Sequence, residues 1–148
     1  MKKIMFVCHG NICRSPMAEF IFKDMVKQKG VSEDFLVASC ATSTEEIGNP
    51  VYPPARAELA KHGLACDEKR AVQLQKSDYD KYDLFVCMDS NNMRNMLRIF
   101  GSDPEGKMHK LMDYTDRGGD VADPWYSYRF DVAYKDIYDG CKALIETL

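Results

Sequence analysis

The chain has no apolar run approaching 18 residues, so no membrane-spanning helix is expected. Met1-Lys2-Lys3 stands before four apolar residues, but that run is too short for a signal peptide, and Cys8-His9-Gly10-Asn11 ends it. No two of the six cysteines stand at Cys-x2-Cys spacing, so the common zinc pattern is missing. Reduced thiols in a cytoplasmic protein are the expectation. Excess positive charge is lacking too. The net charge of −3 gives no global pull toward nucleic acid or membrane. There is no repeat, low-complexity tract or linker. The 148 residues are therefore read as one domain, residues 1–148. What is present is ordinary globular material, 45% apolar and 29% charged. A chain of this size buries roughly 70% of its unfolded surface and needs no staple.

Residues 4–7 do not alternate, which predicts a parallel strand buried on both faces. Ser15 is read as the cap of the next helix and Pro16 as part of its first turn. Ala18, Ile21, Phe22, Met25 and Val26 make its apolar stripe, and Gly30 closes it. Residues 35–39 read as a second strand. Residues 42–54 are a loop rich in Ser, Thr, Gly and Pro. A helix follows from about Pro54, with Ala57, Leu59 and Ala60 inward and Gly63 ending it. Residues 71–74 are ambiguous, and Ser77 or Asp78 is expected to cap a single turn. Residues 84–88 read as a strand. Ser90 or Asn91 then caps a helix carrying Met93, Met96, Leu97 and Phe100. Residues 107–112 suggest a last strand, and residues 114–128 look polar and irregular. A final helix spans about 128–145, with Val132, Ile137, Cys141, Leu144 and Ile145 inward. Strands separated by helices imply an α/β fold. The expected form is a doubly wound open sheet of about four parallel strands, with helices on both faces. Such sheets bind ligands at the carboxyl ends of their strands.

The first of those ends carries the chain's most informative stretch, Cys8-His9-Gly10-Asn11-Ile12-Cys13-Arg14-Ser15. A strand that breaks into a polar, glycine-containing loop and enters a helix is an anion cradle: backbone N–H groups turn inward and the helix N-terminus adds positive potential. A cysteine facing those donors is expected to be a thiolate near neutral pH. Arg14 offers a planar fork to two oxygens of the same anion. The loop lacks Gly-Lys-Ser/Thr, so it is not a nucleotide P-loop. Together these groups suit attack on a phosphate monoester, giving a phosphocysteine that water hydrolyses. Gly10 and Asn11 are expected to take unusual backbone angles. Near the other end, Pro124 restrains Asp123 to extended angles, and Trp125 and Tyr126 follow at once. This places an acid over a pocket, beside rings that stack on an aryl group. A deep aromatic-walled slot admits phosphotyrosine, whereas a serine phosphate is too short. Ile12 would line the opposite side, and His9 would touch substrate or face solvent.

The pattern Cys-x5-Arg-Ser at residue 8 resembles the low-molecular-weight protein tyrosine phosphatases. The resemblance extends to Ser39-Cys40-Ala41-Thr42-Ser43, Cys87-Met88-Asp89-Ser90-Asn91 and Asp123-Pro124-Trp125-Tyr126. It implies that Cys8 is the nucleophile, Arg14 the phosphate clamp and Asp123 the general acid. Ser15 would donate to the Cys8 thiolate, and Asn11 would be held by hydrogen bonds with Ser39 as a partner, keeping the loop open. Under oxidants Cys13 would trap an oxidised Cys8 as a reversible disulfide, short of the irreversible sulfinic step. No cofactor or metal is implied, because Arg14 and the amide ring supply the positive field. The expected partners are phosphotyrosine proteins, a counterpart tyrosine kinase, and inorganic phosphate or vanadate as ligand, with the chain a monomer.

Two stretches depart from the family's pattern. Thr44-Glu45-Glu46 stands where an aromatic is common, so the cleft is expected to be wider and negatively rimmed. Lys69 stands where a histidine often braces the loop through Asn11, which puts that bracing in doubt, and Val72 follows Ala71 where an arginine is frequent. Three rival readings remain. A thiol-dependent arsenate reductase needs a resolving cysteine pair, for which only Cys66 and Cys87 offer themselves. A non-catalytic phosphotyrosine-binding module would need neither Cys8 nor Asp123. A phosphatase acting on small molecules or phosphoarginine is disfavoured by Trp125 and Tyr126.

Overall fold

A computed structural model describes all residues, Met1–Leu148. Four strands form one parallel sheet: β1 Lys2–Cys8, β2 Phe35–Ala41, β3 Leu84–Cys87 and β4 Met108–Lys110, in the order β2-β1-β3-β4. The helices are α1 Arg14–Gln28, α2 Pro53–Lys61, α3 Ser90–Phe100, α4 Pro124–Ser127 and α5 Phe130–Glu146. β1 lies inside the sheet and is buried on both faces, which is why its apolar run does not alternate. Ile4 and Phe6 pack with α1, α2 and α5 on one side. Met5 and Val7 pack with Met96 and Phe100 of α3 on the other. This is the expected doubly wound arrangement. β1 is also where the strand order reverses, with β2 on one flank and β3 on the other. The crevice at its carboxyl end is therefore open to the loops after β2 and β3.

α1 ends in a Schellman motif. Gly30 takes φ 72°, Val31 N–H reaches Val26 C=O at 2.9 Å, and Gly30 N–H reaches Lys27 C=O at 3.0 Å.

Several local expectations are corrected. Ser15 does not cap α1. Cys13 holds that position without a side-chain bond, and Ser15, two residues further in, points its hydroxyl back at the loop. α3 is capped by Asp89 rather than Ser90 or Asn91, because its carboxylate accepts Asn92 N–H at 2.7 Å. The turn at residues 76–80 is capped by Gln75, and Asp78 reaches back to accept Gln75 N–H. In α2 the buried stripe is Ala55 and Leu59, one turn apart, while Ala57 and Ala60 face solvent. Leu97 and Val132 likewise lie on outer faces, and Met96, Phe100, Ala133 and Ile137 take the inner ones. The last strand is only three residues and gives way to a 3₁₀ turn at Leu111–Tyr114. The stretch 114–128 is not wholly irregular, since it contains α4, which Pro124 opens and Asp123 caps.

Candidate active site

The loop after β1 is held from outside through its carbonyls. Cys8 C=O accepts Thr42 N–H at 2.9 Å, His9 C=O accepts Ser43 N–H at 3.1 Å, and Ile12 C=O accepts Tyr52 N–H at 2.8 Å. The N–H groups of residues 10–14 donate to no protein acceptor. These amides are thus left unsatisfied by the protein beside the N-terminus of α1, as an anion cradle requires.

Asn11 is the hinge of this shape. It is buried and takes φ 60°, a left-handed angle that costs about 1 kcal/mol for a residue with a Cβ. Three bonds hold it there. Its Nδ2 donates to Ser15 Oγ at 2.7 Å and to Ser39 Oγ at 3.0 Å, and its Oδ1 accepts Val72 N–H at 3.1 Å. Gly10, by contrast, is not at positive φ, which corrects the expectation for it. An added Cβ there would meet the Glu46 side chain at 3.4 Å, an ordinary contact, so neither angle nor crowding demands glycine at this position.

Cys8 is buried, and its sulfur lies 2.9 Å from Ser15 Oγ and 3.4 Å from Ser15 N–H. Arg14 is only 3% exposed. Its Nη1 donates to Asp89 Oδ2 at 2.7 Å and to Val121 C=O at 2.9 Å, while Nη2 lies 3.5 Å from Asp123 Oδ2. Val121 reaches it because Val121 N–H is pinned to Met88 C=O at the end of β3. Burial works against the Arg14 charge, but Cys8 and the Asp89 carboxylate outweigh it, so its pKa lies above the usual arginine value. Asp123 uses Oδ1 to accept Trp125 N–H at 3.0 Å, which leaves Oδ2 facing Arg14. Trp125 is braced by Tyr52, with ring centroids 4.8 Å apart, and Tyr126 is largely exposed. Cys8, His9, Gly10, Ile12, Arg14 and Asp123 line one cleft of about 220 Å³, and Cys13, Glu45, Glu46, Trp125 and Tyr126 complete its wall. The two glutamates form the negative rim, and His9 Nε2 lies 2.8 Å from Glu45 Oε2.

The family model for low molecular weight phosphotyrosine protein phosphatase matches residues 3–148. The chain belongs to that family. It is 33% identical to the low molecular weight protein-tyrosine-phosphatase YfkJ of Bacillus subtilis, over 100% of this chain and 96% of the relative. The crystal structure of YfkJ superposes with a TM-score of 0.96, covering 99% of this chain and 94% of that one. The mouse low molecular weight phosphotyrosine protein phosphatase is 36% identical, over 98% and 94% of the two chains. The crystal structure of SP-PTP from Streptococcus pyogenes is 34% identical with a TM-score of 0.90, covering 100% and 93%. Phosphotyrosine-phosphatase activity is the function this fold supports.

The site residues singled out at 8–15 lie in this loop or at the start of α1, and Asp123, Trp125 and Tyr126 line its cleft, whereas Ser39 lies behind the loop in β2 and reaches it through Asn11. Sequence reasoning missed the groups behind them. Asp89 anchors Arg14; an Asp directly before a helical pattern is a capping signal that would have singled it out. Val121 acts through its carbonyl and leaves no trace in side-chain identity. Tyr52 carries no motif. Lys69 makes no bond to Asn11: its Nζ donates to Ser39 C=O at 2.8 Å, while the Ser39 hydroxyl that accepts from Asn11 donates to Glu19 at 2.6 Å.

Proposed function

We propose that this phosphatase hydrolyses phosphotyrosine in proteins, and small aryl phosphates, through a phosphocysteine intermediate. The observation that carries the reading is the convergence of Cys8, Arg14 and Asp123 on one cleft, with the Ser15 hydroxyl 2.9 Å from the sulfur. The phosphate sits in the amide ring, and the Arg14 fork takes two of its oxygens as charge spreads in the transition state. The Cys8 thiolate attacks phosphorus, and the P–O bond to the phenol breaks. Asp123 gives its proton to the departing phenolate. A water then attacks phosphorus, Asp123 takes its proton, and the thiolate leaves with the Ser15 hydroxyl donating to it. Trp125 and Tyr126 stack on the aryl ring. Cys13, on the same cleft, traps oxidised Cys8 as a disulfide. Six unpaired cysteines support a reducing, cytoplasmic setting. No helix is long and apolar enough to cross a membrane.

The reductase reading finds no support in Cys87. It is buried in β3 and does not line the cleft, so it is not placed to resolve a bond formed at Cys8. The test is hydrolysis of an aryl phosphate and a phosphotyrosine peptide with EDTA present. Wild type should turn over, Cys8→Ser should not, and Asp123→Ala should lose roughly 10²–10⁴-fold. A wild type that binds phosphate but hydrolyses neither substrate would overturn the reading.

A further inference from the structure

Three of the chain's exposed large apolar side chains, Trp125, Tyr126 and Tyr128, fall within four consecutive residues. The cleft accounts for two of them, since Trp125 and Tyr126 line it and Tyr128 does not. Tyr128 is also one of only two residues other than glycine at positive φ. Its φ is 58°, and its N–H closes α4 by donating to Pro124 C=O at 2.8 Å. A helix end of this kind favours glycine, because a Cβ at left-handed angles crowds the following carbonyl. Asn11, the other such residue, is buried and held by three side-chain bonds. Tyr128 is 75% exposed, so packing within the chain does not offset its angle. A bulky ring kept in a disfavoured conformation and presented to solvent has no explanation inside the fold.

The ring borders a groove. Tyr128, Phe130, Pro54 and Ala57 make its apolar surface, between α2 and the start of α5, with a volume of about 370 Å³. Its charged edges are already paired: Lys61 lies 3.6 Å from Glu58, and Asp131 lies 3.1 Å from Arg129 Nε. An occupant is therefore selected by apolar shape rather than by charge. One residue makes the groove continuous with the cleft. The Tyr52 ring lies 4.8 Å from Trp125 of the cleft wall and 6.1 Å from Phe130 of the groove. An extended peptide advances about 3.3 Å per residue, so about three residues cover the path from Trp125 over Tyr52 to Phe130.

We propose that this groove is a second substrate subsite, taking a large apolar side chain about three residues from the phosphotyrosine, with Tyr128 as the residue that closes it. The occupant is the substrate's own chain. A phosphotyrosine anchored at Cys8, with its ring on Trp125 and Tyr126, leaves the cleft along the wall that Tyr52 continues into the groove. A free apolar ligand or a second copy of the chain gains nothing from that continuity. A side chain tethered to the bound phosphotyrosine does, because it is held at high local concentration. The inference rests on the phosphotyrosine reading of the cleft.

The measurement walks one leucine along both flanks of the phosphotyrosine in otherwise serine-glycine peptides. The kcat/KM of each is read in wild type, Tyr128→Gly, Tyr128→Phe and Ala57→Glu, beside a small aryl phosphate that cannot reach the groove. In wild type a leucine about three residues out should be preferred over the leucine-free peptide by about 5–10-fold, the worth of a half-buried leucine. Tyr128→Gly and Ala57→Glu should erase that preference, Tyr128→Phe should keep it, and all three should hydrolyse the aryl phosphate as wild type does. Ala57 is exposed on α2, so glutamate there does not enter the core. Stability separates this role from a structural one. Tyr128→Gly should melt at or above the wild-type temperature, because glycine takes the left-handed angle freely. A wild type without a positional preference, a preference that survives either groove variant, or a Tyr128→Gly that melts below wild type overturns the proposal. The same walk, read as affinity by fluorescence anisotropy in Cys8→Ser, needs no turnover. A preference there, beside a wild type that hydrolyses neither substrate, sinks the proposed function and keeps the subsite. A wild type that turns over every peptide equally does the reverse. If sedimentation shows that Tyr128→Gly abolishes a dimer while peptide kinetics stay put, the groove joins two copies and the subsite is refuted.

Discussion

Asp89 is the residue whose removal should do most damage for its exposure. One carboxylate oxygen caps α3 through Asn92 N–H at 2.7 Å, and the other holds Arg14 Nη1 at 2.7 Å. Asp89→Ala breaks both. Loss of a good N-cap costs about 0.5–2 kcal/mol. Removing the charged partner of a buried guanidinium costs about 1–3 kcal/mol, moderated here because Arg14 keeps Val121 C=O. The sum is roughly 2–4 kcal/mol, and at about 2–4 °C per kcal/mol for a chain of this size the melting temperature should fall by roughly 5–15 °C. Asp89→Asn is the informative control. Its single carbonyl can accept from Asn92 or from Arg14 but not both, so it should fall between alanine and wild type. Arg14, freed on one side, should also clamp phosphate less well, lowering kcat/KM about 5–30-fold for 1–2 kcal/mol of lost positioning. The assays are a thermal melt and steady-state hydrolysis of an aryl phosphate. If Asp89→Ala melts within a degree of wild type at unchanged kcat/KM, the dual-anchor reasoning is wrong.

Burial, then the charges of Cys8 and Asp123, push the Cys13 thiol far above the ordinary cysteine value despite Arg14 nearby. Iodoacetamide at neutral pH should therefore label Cys8 and spare Cys13, and comparable labelling of both would contradict this. At the cleft mouth, Glu45→Lys should raise kcat/KM for phosphotyrosine peptides with acidic flanks relative to those with basic flanks; an unchanged ratio would show that the rim does not select. Gly140 of α5 sits against Leu111, where an added Cβ would lie 2.5 Å from Cγ. Gly140→Ala should thus cost about 1–3 kcal/mol by overpacking, against the roughly 1 kcal/mol that alanine gains in a helix, and a higher melting temperature would refute the clash. Burial alone would raise the Asp103 pKa, but the Tyr79 hydroxyl and the Lys107 and Met108 amides outweigh it and hold it below the usual aspartate value. That stability is present above about pH 4 and is lost as pH falls through the lowered value. Asp103→Asn should be less stable than wild type at pH 6, with the gap narrowing toward pH 3 in urea titrations.

The sheet was legible because burial on both faces writes itself as unbroken apolar runs, at residues 4–7 and 84–88. The loop was legible because phosphate chemistry requires a particular set of residue types in a particular order. Helix boundaries were less so. Ser15 looks like a cap by composition, yet its hydroxyl serves a sulfur seven positions back, and Asp89 outcompetes Ser90 because it also has Arg14 to satisfy. Exposed apolar residues such as Leu97 and Val132 were misread because a single apolar side chain on an outer face costs little and leaves no pattern. The supporting shell was nearly illegible. Glu19, Tyr52 and Val121 lie far apart in sequence, and their contacts exist only once the strands, α1 and the segment around α4 have docked, while Lys69 was legible only as the residue standing where a histidine is frequent.

That distribution has a consequence for how the site fails. The loop holds an unfavourable Asn11 backbone angle, a buried Arg14 and, behind it, a buried Glu19, each tolerable only with its partners in place. Those partners come from β2 through Ser39, from the segment after it through Lys69 and Val72, and from the end of β3 through Asp89. The three contributions share a central element, β1, to which both flanking strands pair. Local opening of either flank therefore withdraws support from Asn11 or Arg14 before the sheet itself is lost. Activity should then decline ahead of helical signal during thermal or urea unfolding of the wild type. Superimposable curves for aryl phosphate hydrolysis and far-ultraviolet circular dichroism would mean that the loop and the sheet open as one unit.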